Sequence, residues 1–169
     1  MIYKIFDNAR ILFVGINPHP GSDRRGVPFS NNKTLWYLLN QAGLIHEPLE
    51  KLKTDAGLKE IYETKILMVY RLNFISMVDR PTVDATSLKK GEEEAGIQRL
   101  LNIIETYTPK VVCFIGKNTY TLFKRGCLSE YGWQENIGKS KVYLMHFPIR
   151  GLASIRIREL QKLKDKSRN

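Results

Sequence analysis

The chain has 169 residues, 43% hydrophobic and 26% charged, enough for one compact domain that buries roughly 70% of the surface its unfolded form would expose. Lys and Arg number 27 against 17 Asp and Glu, a net charge of +10, which favours a polyanionic partner, nucleic acid first, through phosphate neutralisation and counterion release. Lys4, Asp7 and Arg10 interrupt any signal-peptide core, no run approaches the ~20 apolar residues of a membrane span, and two cysteines are too few for a four-cysteine metal or iron–sulfur site, so the expectation is a soluble, cytoplasmic monomer with no metal or other cofactor.

Residues 10–15 form a short apolar run ended by Gly15 and Pro18, which predicts a buried strand opening into a loop over 17–32. Asn31 or Asn32 can cap a following helix over 33–42, which Gly43 stops. Helical periodicity over 50–64 leads to a β-branched and apolar strand at about 71–77, broken by Asp79-Arg80-Pro81-Thr82. A helix over 89–107, acidic in its first turns, precedes the apolar run 111–116 and a short helix over 118–124. The strand 141–146, a loop over 147–154 and a basic helix over 155–164 complete the chain.

Four apolar strands separated by helices predict an α/β fold: a three-layer α/β/α sandwich around a mostly parallel four-stranded sheet, with a crevice at the strand C-termini. Asn17, Asn73, Gly116 and His146 are expected there, although helix capping explains any single one of them equally well. Neither a Gly-x-x-x-x-Gly-Lys-Ser/Thr nor a Gly-x-Gly-x-x-Gly loop occurs, which argues against a nucleotide-phosphate enzyme.

Four motifs in order, Gly15-Ile16-Asn17-Pro18, Gly26-Val27-Pro28-Phe29, Met77-Val-Asp-Arg-Pro-Thr-Val83 and Ile115-Gly116-Lys117, resemble the mismatch-specific uracil/thymine DNA glycosylases of the uracil-DNA glycosylase superfamily. The resemblance spans residues 10 to 152. It implies base excision repair by a monofunctional glycosylase, with DNA containing uracil or mismatched bases as partner. Asn17 would position the hydrolytic water, since an amide carbonyl can aim water at an oxocarbenium-like centre without acting as a base; standing alone, it would be a turn residue before Pro18. Phe29 would stack on the extruded base, with Ile16 and Ser22 at the pocket wall.

Three positions resemble instead the strict uracil enzymes of the superfamily. Asn73 would read the uracil edge, accepting from N3–H and donating to O4, or else satisfy backbone groups at a strand end. His146 would stabilise charge on the departing base, or else be a hydrogen-bonded structural histidine. His19 would narrow the pocket against the thymine methyl. Gly151-Leu152 resembles the Gly-Leu of the family's insertion loop and would supply an apolar wedge, with Arg150, Arg156, Arg158 and Lys117 available to phosphates, or else forms part of a basic exposed loop. The remaining alternatives are a catalytically silent nucleic-acid binder and a glycosylase with another main lesion, such as hypoxanthine.

Overall fold

A computed structural model describes residues 8–168. The first strand, β1 (Ile11–Gly15), is buried along its whole length, because it is covered on both faces, which is what its continuous apolar run required. β1 pairs in parallel with β2 (Leu72–Ser76) on one side and β3 (Val111–Ile115) on the other. Beyond β3 lie β5 (Ser140–Met145), again parallel, and the edge strand β4 (Gly132–Ile137), antiparallel to β5. The sheet order is β2-β1-β3-β5-β4.

Side-chain alternation along the strands divides the core in two. Ile11, Phe13, Phe74, Cys113 and Met145 face a layer formed by α2 (Thr34–Gln41), α3 (Leu49–Lys53), α4 (Asp55–Thr64) and α7 (Ala153–Lys166). Leu12, Val14, Ile75, Phe114 and Leu144 face α5 (Glu93–Tyr107) and α6 (Lys117–Phe123). This is the expected three-layer α/β/α arrangement with a mostly parallel sheet.

The sheet has five strands rather than the four read from the sequence. β4 is half-buried or exposed at every position, so it carries no apolar run; it is held by a tight hairpin through Gly138 and Lys139 onto β5. The 17–32 segment is not all loop. It contains α1 (Pro20–Arg25), started by Pro20 and capped at its end by Gly26 in the left-handed conformation. The single helix expected over 50–64 is broken at Thr54, whose extended backbone separates α3 from α4 and whose hydroxyl accepts from Gly57 N–H at 3.1 Å. α5 begins at Glu93, four residues later than its acidic sequence suggested, and α7 runs two residues further at each end than expected.

Gly96 explains how α5 sits so close to the sheet. An added Cβ would coincide with the Met77 carbonyl oxygen, so backbone packs on backbone. In an ordinary helix interior Gly→Ala stabilises by up to ~1 kcal/mol. Here Gly96→Ala is expected to destabilise by ~1–3 kcal/mol through overpacking, lowering the thermal midpoint by several degrees; a raised midpoint in calorimetry would contradict the close approach.

Candidate active site

A cavity of about 310 Å³ opens where β1, β2 and β3 end, with Gly15, Ser76 and Ile115 on its floor. That volume is at the lower end for small-molecule sites. Its walls come from the Ile16–His19 turn, α1, the turn bearing Phe29, the 82–85 segment, and the chain after β5.

Asn17 is half-buried on this wall, and its amide orientation is determined by its partners. Nδ2 donates to the Arg80 carbonyl at 3.0 Å and to Thr82 Oγ1 at 2.7 Å. A backbone carbonyl can only accept, so the amide cannot flip without losing that bond. Thr82 Oγ1 donates onward to the Asp84 carbonyl at 2.5 Å, leaving its lone pairs for Asn17. Oδ1 accepts nothing from the described residues. It is therefore the side chain's unused acceptor.

The segment that holds Asn17 is itself fixed at several points. Met77 N–H donates to Gly15 O, Val78 N–H to Ile16 O and Thr82 N–H to Pro18 O, at 3.0, 2.8 and 3.1 Å, so the two motifs lie side by side. The Arg80 guanidinium grips Glu92 through two nitrogens at 2.6 and 2.9 Å and the Ser87 carbonyl at 3.1 Å. The Arg80 hydrogen bond, with help from Lys89 N–H, holds the Glu92 carboxyl down at about 2.

His19 caps α1: its Nδ1 accepts from Gly21 N–H at 3.0 Å. In the neutral ring that places the proton on Nε2, giving a wall donor. Ser22 is buried, and its hydroxyl oxygen accepts from Ser30 N–H and Asn31 N–H at 3.1 and 2.9 Å. Those bonds, with Trp36 Nε1 donating to Pro28 O at 2.9 Å, hold Phe29 at φ 53°, a left-handed conformation that costs an L-residue of order 1–3 kcal/mol. The strained turn lays the ring over Gly15, where a Cβ would come within 2.8 Å of Phe29 Cζ.

Two expected positions are revised. Asn73 is the second residue of β2, paired with Leu12, and it is buried well below the sheet edge, with its Oδ1 accepting from Phe74 N–H at 2.8 Å. The strand ends three residues later, at Ser76, and Asn73 does not line the cavity. His146 follows β5 as expected, but its ring turns to α7. Nδ1–H and the backbone N–H donate to Glu159 Oε1 at 3.0 and 3.1 Å, and the ring stacks on Tyr131 with centroids 3.5 Å apart. Glu159 is buried and also accepts from Tyr143 OH at 3.2 Å; a buried carboxylate requires such donors, and His146 serves that need rather than lining the cavity.

The loop after β5 keeps only part of its expected role. Arg156 is buried, and its guanidinium donates to the carbonyls of Phe147, Leu152 and Arg150 at 2.9, 3.1 and 2.6 Å. With three of its five N–H donors committed to the backbone, it braces the loop. Gly151 lies over that guanidinium; a Cβ there would fall 2.8 Å from Nη1. Leu152 is 67% exposed at the start of α7, and Arg150 is exposed beside it. Lys117, at the start of α6, sits 4.7 Å above the Tyr131 ring on the same rim.

A family model described as the uracil DNA glycosylase superfamily matches residues 3–160. The chain belongs to that superfamily. Superfamily membership makes it a DNA glycosylase of the kind that hydrolyses deaminated bases from DNA. In this glycosylase the structure brings together Ile16, Asn17, His19, Ser22 and Phe29 on one cavity. Sequence reasoning did not single out Thr82, which orients Asn17, nor Arg80 and Glu92 behind it. It also passed over Phe147, which lines the cavity while 49% exposed; its place two residues after the last parallel strand was the available signal.

The Arg80–Glu92 pair has a pH signature. Because the folded-state Glu92 value is depressed from 4.5 to about 2, its contribution is complete above pH 4.5 and is lost as pH falls towards 2. Urea unfolding of wild type and Glu92→Gln should therefore show a stability gap that is constant from neutral pH to about pH 5 and narrows below it. A gap independent of pH would show that the ionisation of Glu92 contributes nothing to folding.

Proposed function

We propose that this glycosylase is a monofunctional enzyme of the mismatch-specific type, acting chiefly on uracil, with thymine opposite guanine as a poorer substrate. The observation that carries the reading is the fixed Asn17 amide, whose Oδ1 accepts from no described residue, on the wall of a cavity of about 310 Å³. The basic surface docks DNA phosphates. The target nucleotide leaves the stack, and its base enters over Phe29. As the glycosidic bond breaks, positive charge grows on the sugar, and a water oriented by Asn17 Oδ1 adds to the anomeric carbon, its excess proton leaving to solvent and, in net, neutralising the departed base anion. The departing base takes the electron pair, and the His19 ring, with Nδ1 accepting from Gly21 N–H, offers Nε2–H as one of the side-chain donors of the wall, beside the Asn31 and Asn32 amides. No lysine lines the cavity among the described residues, which supports hydrolysis rather than an amine-linked intermediate.

A second reading of specificity has its own support. With Asn73 away from the cavity, the amide expected to read the uracil edge is not in place, so hypoxanthine joins the candidate substrates. Oligonucleotides bearing each lesion, opposite each base, decide this. Wild type is expected to release uracil, and Asn17→Ala to lose roughly a hundredfold or more in single-turnover rate while binding DNA within a few-fold; equal turnover by the variant sinks the water-positioning role.

His19 gives a further expectation. On the proposal that the His19 ring, which lines the cavity, limits the room for a 5-methyl group, replacing it with glycine should raise the rate on G:T relative to G:U duplexes. An unchanged ratio removes the gate.

A further inference from the structure

Resting on the glycosylase reading above, the geometry points to Phe147 as a second aromatic wall for the extruded base, a specificity-determining contact on the side of the cavity opposite in sequence to the Phe29 turn. Phe29 and Phe147 are placed by the same device on neighbouring strands. Phe29 lies over Gly15 at the end of β1, and Phe147 lies over Gly116 just after β3, where a Cβ would come within 3.3 Å of Phe147 Cδ2. Both glycines let a ring settle onto the sheet edge, and both rings line the one cavity.

The Phe147 backbone is preset. Pro148 restricts it to extended conformations, and Arg156 Nε holds its carbonyl at 2.9 Å. The ring nevertheless has no core to occupy: it is 49% exposed. A large apolar side chain held rigidly at a cavity mouth, half out of water, is arranged for a ligand surface. The remaining residue that the loop contributes to the cavity is Ile149, so this whole side is apolar. A flat heteroaromatic base satisfies it by stacking or edge contact, and hydrogen-bonding selection is left to the opposite wall.

Two roles for Phe147 make different predictions. A cavity wall touches the base whether or not a second strand is present. A wedge that fills the vacated stack acts only in duplex DNA. Single-turnover uracil release is measured on single-stranded and duplex oligonucleotides for wild type, Phe147→Ala, Phe147→Tyr and Leu152→Ala. The expected result is a loss of roughly tenfold or more for Phe147→Ala on both substrates, near-wild-type rates for Phe147→Tyr, and a loss confined to duplex for Leu152→Ala. A Phe147→Ala defect confined to duplex, or no defect, overturns the wall. A companion measurement does not depend on turnover: free uracil in excess is added to protein carrying labelled phenylalanine, and nuclear Overhauser contacts between the base protons and the Phe147 ring are sought. Their presence supports the wall even if the enzyme's preferred lesion is another base; their absence in protein that shows contacts to Phe29 overturns it. Failure of wild type to release any base would instead count against the glycosylase reading itself.

Discussion

The site depends on which way one amide points. Asn17 has a donor end and an acceptor end of nearly equal shape, and only the acceptor end can hold a water by its proton. The choice is made outside the Gly15–Pro18 turn, by the Arg80 carbonyl and the Thr82 hydroxyl. That arrangement explains why two motifs more than sixty residues apart lie in register, with three backbone hydrogen bonds between them, and why Arg80 is anchored to a carboxylate kept ionised far into acid. The second motif is a device for aiming the first.

Around that amide, the cavity is built by subtraction as much as by addition. Gly15 and Gly116 lack the side chains that would otherwise cover the sheet edge, and aromatic rings occupy the freed space without filling it. Phe29 reaches its place through a left-handed backbone that a buried serine and a buried tryptophan hold in position. The strain sits where the site needs a ring and is supported by a serine of the cavity wall and a tryptophan of the core.

Much of this was legible in the residues. Apolar runs located β1, β2, β3 and β5, because strands covered on both faces must be apolar throughout. β4 was invisible for the converse reason, being a polar edge strand recruited by a hairpin. The Asn17, His19 and Phe29 positions followed from motifs in turns. Asn73 and His146 were harder, because motif resemblance gives neither depth along a strand nor side-chain direction. The strand bounds read from the sequence were right to within a residue, and they leave Asn73 in the interior of β2, three residues short of its C-terminal end. The direction of His146 is decided by Glu159, a buried carboxylate whose need for donors has no local sequence signature.

Arg156 ties three carbonyls of the 147–152 loop to a single planar group that is rooted in α7. A loop with three anchors on one rigid fork cannot yield at one point alone: load on Leu152 reaches Phe147 through the same guanidinium. Mechanically, the protein side of the contact is stiff. Under the DNA-facing role proposed for this loop, accommodation would fall on the duplex, and sequences that kink or unstack cheaply would be met at lower cost than stiff ones.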